Sequence, residues 1–340
     1  ESPMIDFLKK TTISNFTVGI VASIVAMVPP TLLIIEVTQS LGFSHQSTVN
    51  WLFGFLFVAG CIGLFLAWTT KLPINMASNV PAIVFLSFSL QYFSLETAAF
   101  GYACAGILLA LIGWFKLYDK VMGLIKAEIV FAMFAGALLQ YALNLVTVTV
   151  NYIFYGLVAI ITFLVAMRYV KLVPPVLISM IVITLMLSLE GAISYSQLIE
   201  STWVLPQAFM ISPSWSAFIG LSIPMVFIIL SGELTVGISI LRSEGYQPPT
   251  NKMTFWSGIG TVIGSFFGNP CVNTSGVPIG IVSSSTNGPM HLRYVSAIWS
   301  CLFVALFGVL AHYIVLFFSI YPLEMLSLLV GLALTPILIK

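Results

Sequence analysis

An all-α integral membrane protein that crosses the bilayer about twelve times is the fold class this sequence predicts. Three observations predict it. Apolar residues make up 59% of the 340 positions and charged residues 7%, and the mean hydropathy is +1.10. The apolar residues gather into segments long enough to cross hydrocarbon. The few charges fall between those segments in a one-sided pattern. A soluble domain carries about 25% charged residues because its surface meets water, so most of this surface faces something else.

Cutting the chain at polar and Pro/Gly breaks gives segments at 13–40, 50–69, 73–91, 97–115, 127–148, 151–168, 172–190, 216–241, 253–268, 270–287, 294–320 and 323–339. The opening ESPMIDFLKK lacks a signal-peptide cleavage pattern and reads as a cytoplasmic lead-in. Residues 192–215, with Trp203, Pro206, Pro213 and Trp215, read as an interfacial loop or surface helix. Gly258, Gly260, Gly264 and Gly268 mark the ninth segment as a site of close helix packing.

Basic residues test the count. Lys9, Lys10, Lys71, Lys116, Lys120, Lys126, Arg168, Lys171, Arg242, Lys252, Arg293 and Lys340 all fall on one side of this threading. Glu96, Glu190, Glu200, Glu324 and His45 fall on the other. The positive-inside rule makes the basic side, with the N-terminus, cytoplasmic. The expected location is therefore a plasma membrane, with lipid as the surrounding partner. Nucleic acid is not an expected partner.

The third and tenth segments share a motif. Pro73 to Pro81 and Pro270 to Pro278 both read P-x4-S-x-V-P. The copies lie seven segments apart, an odd number, so they enter from opposite faces as an inverted repeat does. Pro30 and Pro224 echo this in the first and eighth segments. A residue before proline is pushed towards extended backbone, and proline suits the first turn of a helix. Each copy thus reads as a strand followed by a half-helix starting at mid-membrane. Val80 and Val277 become extended N-caps without a capping oxygen. Their free N–H groups and helix dipoles favour an anion or an electron-rich ring. The alternative is a pair of proline-kinked helices capped by Ser78, Asn79, Asn273 or Thr274. The candidate substrate-binding residues are Ser78, Asn79, Val80, Asn273, Thr274, Ser275 and Gly276, together with Glu233.

Glu233 stands apart from the other acids because it lies deep in the eighth segment, where an ionisable group is costly and faces a cavity or a proton path. It is the candidate proton carrier. His312 reads as a packing residue first and a proton relay second. No metal or cofactor site is expected: Cys61, Cys104, Cys271 and Cys301 do not pair by spacing. An HExxH motif, an intramembrane Asp pair and a Ser–Lys site are all missing, which argues against an intramembrane enzyme.

Four stretches carry a family resemblance. GLSIPMVFIILSGELTVGISILRSEGYQPP (220–249), GNPCVNTSGVPIG (268–280), FAGALLQYAL (134–143) and LPINMASNVPA (72–82) resemble the benzoate/proton symporters, relatives of nucleobase permeases such as uracil permease. The resemblance runs over nearly the whole chain and is most specific at the LR-x-x-GY-x-PP exit of the eighth segment. It implies two inverted seven-span repeats with core and gate domains, and half-helices 3 and 10 framing the substrate beside span 8. In this chain the repeats would be 1–191 and 216–340, joined by 192–215, with about twelve of fourteen spans present. The implied function is secondary active, proton-coupled uptake of a small aromatic carboxylate such as benzoate across a bacterial inner membrane, by a protein that also forms homodimers. Benzoate transporters carry Gln-Asn near the position of Glu233. The nucleobase permeases carry a substrate-binding glutamate there, and a second one where this chain has Gly276. A nucleobase symporter and an uncoupled anion channel or transporter of the same fold are the alternatives.

Overall fold

The structure is a computed structural model that describes residues 3–125, 127–170, 173–193, 195 and 202–338. Lys126, Lys171, Glu200 and Lys340 lie outside the described residues. Helices dominate, as the composition requires. A short amphipathic α1 (Pro3–Lys10) leads into α2 (Ile13–Ser40), whose Thr12 N-cap and Asn15 side chain form a capping box. Next come α3 (His45–Thr70) and α5 (Leu95–Trp114), capped by Ser44 and Ser94. Between them the chain forms β1 (Met76–Ala77) and α4 (Val80–Ser89). The short α6 (Tyr118–Leu124) precedes α7 (Ala127–Asn151), α8 (Ile153–Tyr169) and α9 (Pro175–Leu189).

The second half repeats this order. Helix α10 (Trp215–Ser243) and α11 (Thr250–Ser265) precede β2 (Asn273–Thr274) and α12 (Gly276–Ser283). Helices α13 (Tyr294–Val309), α14 (Ala311–Ser319) and α15 (Leu323–Leu338) close the described chain. Among the described residues, five helices are long and apolar enough to cross a membrane: α2, α3, α5, α10 and the stretch Met290–Val309. The bent pair α14–α15 makes a sixth.

The segment expected at 294–320 is broken. Helix α13 ends at Val309, α14 restarts at Ala311, and α14 meets α15 at a bend of 117°. The break follows Gly308, which packs against the backbone of Phe57 in α3. Beyond it, His312 is buried and its Nδ1 lies 3.0 Å from His45 Nε2. The two imidazoles thus bridge the start of α3 and the start of α14.

Residues 202–214 form neither helix nor strand. They run over one end of the bundle: Gln207 N donates to Asn50 Oδ1 (2.9 Å), and Ser212 N donates to the Glu96 carbonyl (3.1 Å). At the opposite end Lys71 Nζ stands 4.6 Å from the Trp68 ring and 4.9 Å from Tyr294, while Lys252 Nζ reaches Thr69 and Arg293 pairs with Glu244. Glu96 thus lies at one end, and Lys71, Lys252 and Arg293 at the other.

The helices sort into two groups. Helix α5 packs on α11, α3 on α13, and α13 also on α2; α7, α8, α9 and α15 pack on one another. The α5–α11 seam needs Gly258, because a Cβ there would stand 2.5 Å from the Gly106 carbonyl and 2.8 Å from Ala110 Cα. Contacts of α2 with α15 and of α4 with α7 join the groups, and the principal cavity lies between them.

Candidate functional site

The two P-x4-S-x-V-P copies meet. Strands β1 and β2 pair antiparallel, Met76 opposite Thr274 and Ala77 opposite Asn273, and Ser275 N donates to the Asn75 carbonyl at 3.1 Å. Helices α4 and α12 start from this two-stranded crossing. Their starts differ from the expectation in one respect. Val80 and Val277 are already helical, and the extended N-caps are Asn79 (φ −95°, ψ 108°) and Ser275 (φ −114°, ψ 120°). Pro81 and Pro278 stand at the second and third helical positions, where the missing N–H falls in the first turn and has no intrahelical partner. Asn79 caps α4, accepting at Oδ1 from Ala82 N at 3.0 Å. The capped alternative therefore describes α4.

Helix α12 has no local side-chain cap. Glu233 supplies one from α10: its Oε2 accepts from Gly276 N at 2.8 Å. A carboxylate on a helix N-terminal N–H is a charge-assisted hydrogen bond, favoured by the dipole. Two features of α10 aim it there. The helix widens into a π turn over Leu230–Leu234, and Gly232 leaves the helical region (φ −89°, ψ −123°). The sequence segment 216–241 reads as one continuous helix, and only the Ser231-Gly232 pair signals the break. The carbonyls before the break are satisfied by side chains: Asn273 Nδ2 donates to Ile229 O at 3.4 Å, and Thr235 Oγ1 donates to Leu230 O. Close approach is the second feature. A Cβ on Gly276 would overlap Val236 Cγ1 and stand 3.4 Å from Glu233 Oε2.

A cavity of about 810 Å³ opens beside this contact. Glu233, Ser78, Val80 and Ser275 line it, and Val277 is 56% exposed into it. Its far wall comes from Phe163 and Met167 of α8 and from Pro174, Pro175 and Val176 at the start of α9. Along α2 it runs from Thr17 to Pro30, and it reaches Ser284 and Thr286, close to the end that carries Arg293. Mostly apolar walls, one carboxylate and no lysine, arginine or histidine among the described lining residues define its chemistry.

Four of the eight residues expected at the site line the cavity and four do not. Asn79, Asn273 and Thr274 are fully buried behind it, holding the crossing, and the N–H of Gly276 is engaged by Glu233. Asn79 Nδ2 and Thr274 Oγ1 have no hydrogen-bond partner among the described residues, and they face Gly232 and Gly237 of α10. The α8–α9 wall was not legible: Pro174 and Pro175 fall inside the spanning segment 172–190, and nothing in the sequence brings them to α4 and α12.

Comparison with known proteins agrees with this architecture. The profile of the family described as "Benzoate membrane transport protein" matches residues 9–339. The chain belongs to that family. The benzoate membrane transport protein of Acinetobacter baylyi is 24% identical over 326 residues, covering 95% of this chain and 82% of that protein. The inner membrane protein YdcO of Escherichia coli is 23% identical, covering 90% and 82%. Among solved structures, the transmembrane domain of the cyanobacterial bicarbonate transporter BicA superposes with a TM-score of 0.63 at 15% identity, over 96% of this chain and 88% of that one. SLC26A9 gives 0.64 at 14% identity, over 99% and 60%. Family membership makes the chain a multi-pass membrane transporter, and the two structural likenesses show an all-α fold shared with both. The resemblance read from the four sequence stretches is the family shown.

Proposed function

We propose that this member of the benzoate membrane transport family carries a small aromatic carboxylate such as benzoate into the cell together with a proton. The observation that carries this reading is the Glu233 carboxylate seated on Gly276 N–H, at the head of α12 and the edge of an apolar-walled cavity. That carboxylate occupies the place where a substrate carboxylate would bind. While Glu233 is ionised, it fills the donor and repels a second anion. Once protonated, it accepts less strongly, releases Gly276 N–H, and can donate its own proton to the incoming carboxylate. The walls formed by Val80, Val277, Phe163 and the prolines suit a benzene ring. Proton and substrate then promote each other's binding, the reciprocity that symport requires.

The wider architecture joins the proposal. The antiparallel meeting of the two motif copies supports inverted repeats, 1–191 and 216–340, with 192–215 between them. The two packing groups support a core domain and a gate domain of α7, α8, α9 and α15. The clustering of Lys71, Lys252 and Arg293 supports a cytoplasmic N-terminus in an inner membrane, with the cavity open inward. A homodimer is proposed on the family resemblance.

Uptake into proteoliposomes tests the function. An imposed proton gradient, acid outside, should drive benzoate accumulation above equilibrium, and uracil and bicarbonate should not compete. Competition by uracil would make this a nucleobase carrier. Benzoate flux without proton-driven accumulation would make it an uncoupled conductor.

A further inference from the structure

A second carboxylate lies on the same seam at the other end. Glu36 is 6% exposed near the end of α2, and its Oε1 accepts from Ser327 Oγ of α15 at 3.1 Å. Beside it lies a chamber of about 170 Å³, lined also by Ser40, Ser87 and Phe88 and, from α7, by Gln140, Tyr141 and Asn144. Three helices connect the chamber to the large cavity: α2 and α4 line both, and α15 lines the cavity and reaches the chamber's carboxylate through Ser327. Helix α2 moves from the cavity at Pro30 to the chamber at Glu36; α4 from Val80 to Ser87; α15 from Ala333 to Ser327. Six or seven residues separate each pair, a rise of about 9–10 Å. Between the two lie Leu32 to Ile35 of α2 and Ile83 and Val84 of α4, all at most 1% exposed. The seam is therefore sealed by hydrocarbon, with the cavity on one side and a small polar chamber on the other.

Charge around Glu36 is one-sided. On α7 the titratable neighbour is Tyr141, 4% exposed; α4 contributes none; on α15 Glu324 lies exposed one turn before Ser327. The residues lining the chamber include no lysine, arginine or histidine. Closing the seam over an ionised carboxylate would bury a charge without a counter-ion, which is strongly disfavoured. Closing it over the neutral acid keeps the Ser327 hydrogen bond and adds a donor for the chamber's amide and hydroxyl oxygens.

We propose that Glu36 is a second protonation site, distinct from Glu233, and that the outer seam between α2–α4 and α7–α15 closes only when Glu36 has taken up a proton. Opening the seam admits water and releases that proton, so the entrance is gated by the acidity of the face it opens to. This inference rests on the chain being a transporter but not on its substrate or on Glu233.

Labelling the chamber tests it without transport. The substitution Ser87→Cys places a thiol in the chamber, and Trp203→Cys, at a 53% exposed position of the same end, is the reference. Both are made with Cys61 and Cys104 replaced by alanine; Cys271 and Cys301 are fully buried. The purified protein is held in lipid nanodiscs and treated with a bulky polar maleimide across a pH series. One proton per opening sets a limiting slope of about tenfold per pH unit in the labelling ratio of the two sites. The ratio should rise with pH in the Glu36 background. With Glu36→Gln added, which keeps the hydrogen bonds and fixes the neutral form, it should stay low and flat. A flat ratio with Glu36 present, or an undiminished slope in Glu36→Gln, overturns the proposal. If Glu36→Gln does not fold, Ser327→Ala decides. Losing the seam's hydrogen bond should raise labelling at acid pH several-fold, and unchanged labelling there overturns the proposal.

Discussion

Replacing Gly276 with alanine tests the contact on which the site is built. The added Cβ would overlap Val236 Cγ1, with Val236 Cβ at 3.2 Å and Glu233 Oε2 at 3.4 Å. Ordinary carbon contacts need roughly 3.5–4.0 Å, so α10 and α12 must separate by on the order of 1 Å. The Glu233–Gly276 hydrogen bond, now 2.8 Å, does not survive such a shift. Overpacking costs about 1–3 kcal/mol, and a hydrogen bond to a charged group contributes about 1.5–3 kcal/mol. The melting temperature should fall, and because the shift carries Gly276 N–H away from the place beside Glu233 where a substrate carboxylate would bind, benzoate affinity should fall by about tenfold to a hundredfold, the equivalent of about 1.4–2.7 kcal/mol. Adding Val236→Ala removes the overlapping methyl and should recover most of both. Titration calorimetry and a thermal melt of the purified proteins read the result. Wild-type affinity in Gly276→Ala alone would refute the close contact and with it the route by which Glu233 reaches α12.

Other outcomes follow from the same geometry. Asn273→Ala removes the amide that satisfies the Ile229 carbonyl beside the break in α10; it should destabilise the protein by about 1–3 kcal/mol, visible as a lower melting temperature. Gly258→Val should prevent stable α5–α11 packing and abolish folded material in size-exclusion chromatography, because the Gly106 carbonyl has nowhere to retreat. In a cysteine-free background, Lys252→Cys should label only from the cytoplasmic side and Glu96→Cys only from the outside; the reverse pattern would overturn the reading of the charges.

The sequence made the class legible because composition and the placement of twelve basic residues are global signals that no local packing detail can reverse. The strand and half-helix character of 73–91 and 270–287 was legible because proline constrains its neighbour as well as itself. Where each helix starts was not. The pre-proline rule puts the boundary at Val80 and Val277, whereas Asn79 and Ser275 take the extended conformation and move the start one residue earlier in α4 and two in α12. The eighth segment shows the other limit. Its apolar run looks uniform, but a Ser-Gly pair in it becomes a break because Asn273 and Thr235 satisfy the carbonyls it frees. Asn273 stands 44 residues from the carbonyl it satisfies, and a partner so far along the chain leaves no local signature. For the same reason Glu233 was legible as a candidate, since depth alone marks it, while its hydrogen bond to Gly276 N–H was not.

Proton-driven accumulation by Glu233→Gln tests the central claim most directly. The amide keeps the shape of the side chain and can still accept from Gly276 N–H, but it cannot titrate. In proteoliposomes carrying an inward proton gradient, the variant should still bind benzoate and exchange it across the bilayer. Its binding should no longer tighten as pH falls, and uphill accumulation should be lost. Accumulation at the wild-type level by Glu233→Gln would contradict the account and move the coupling proton to another residue.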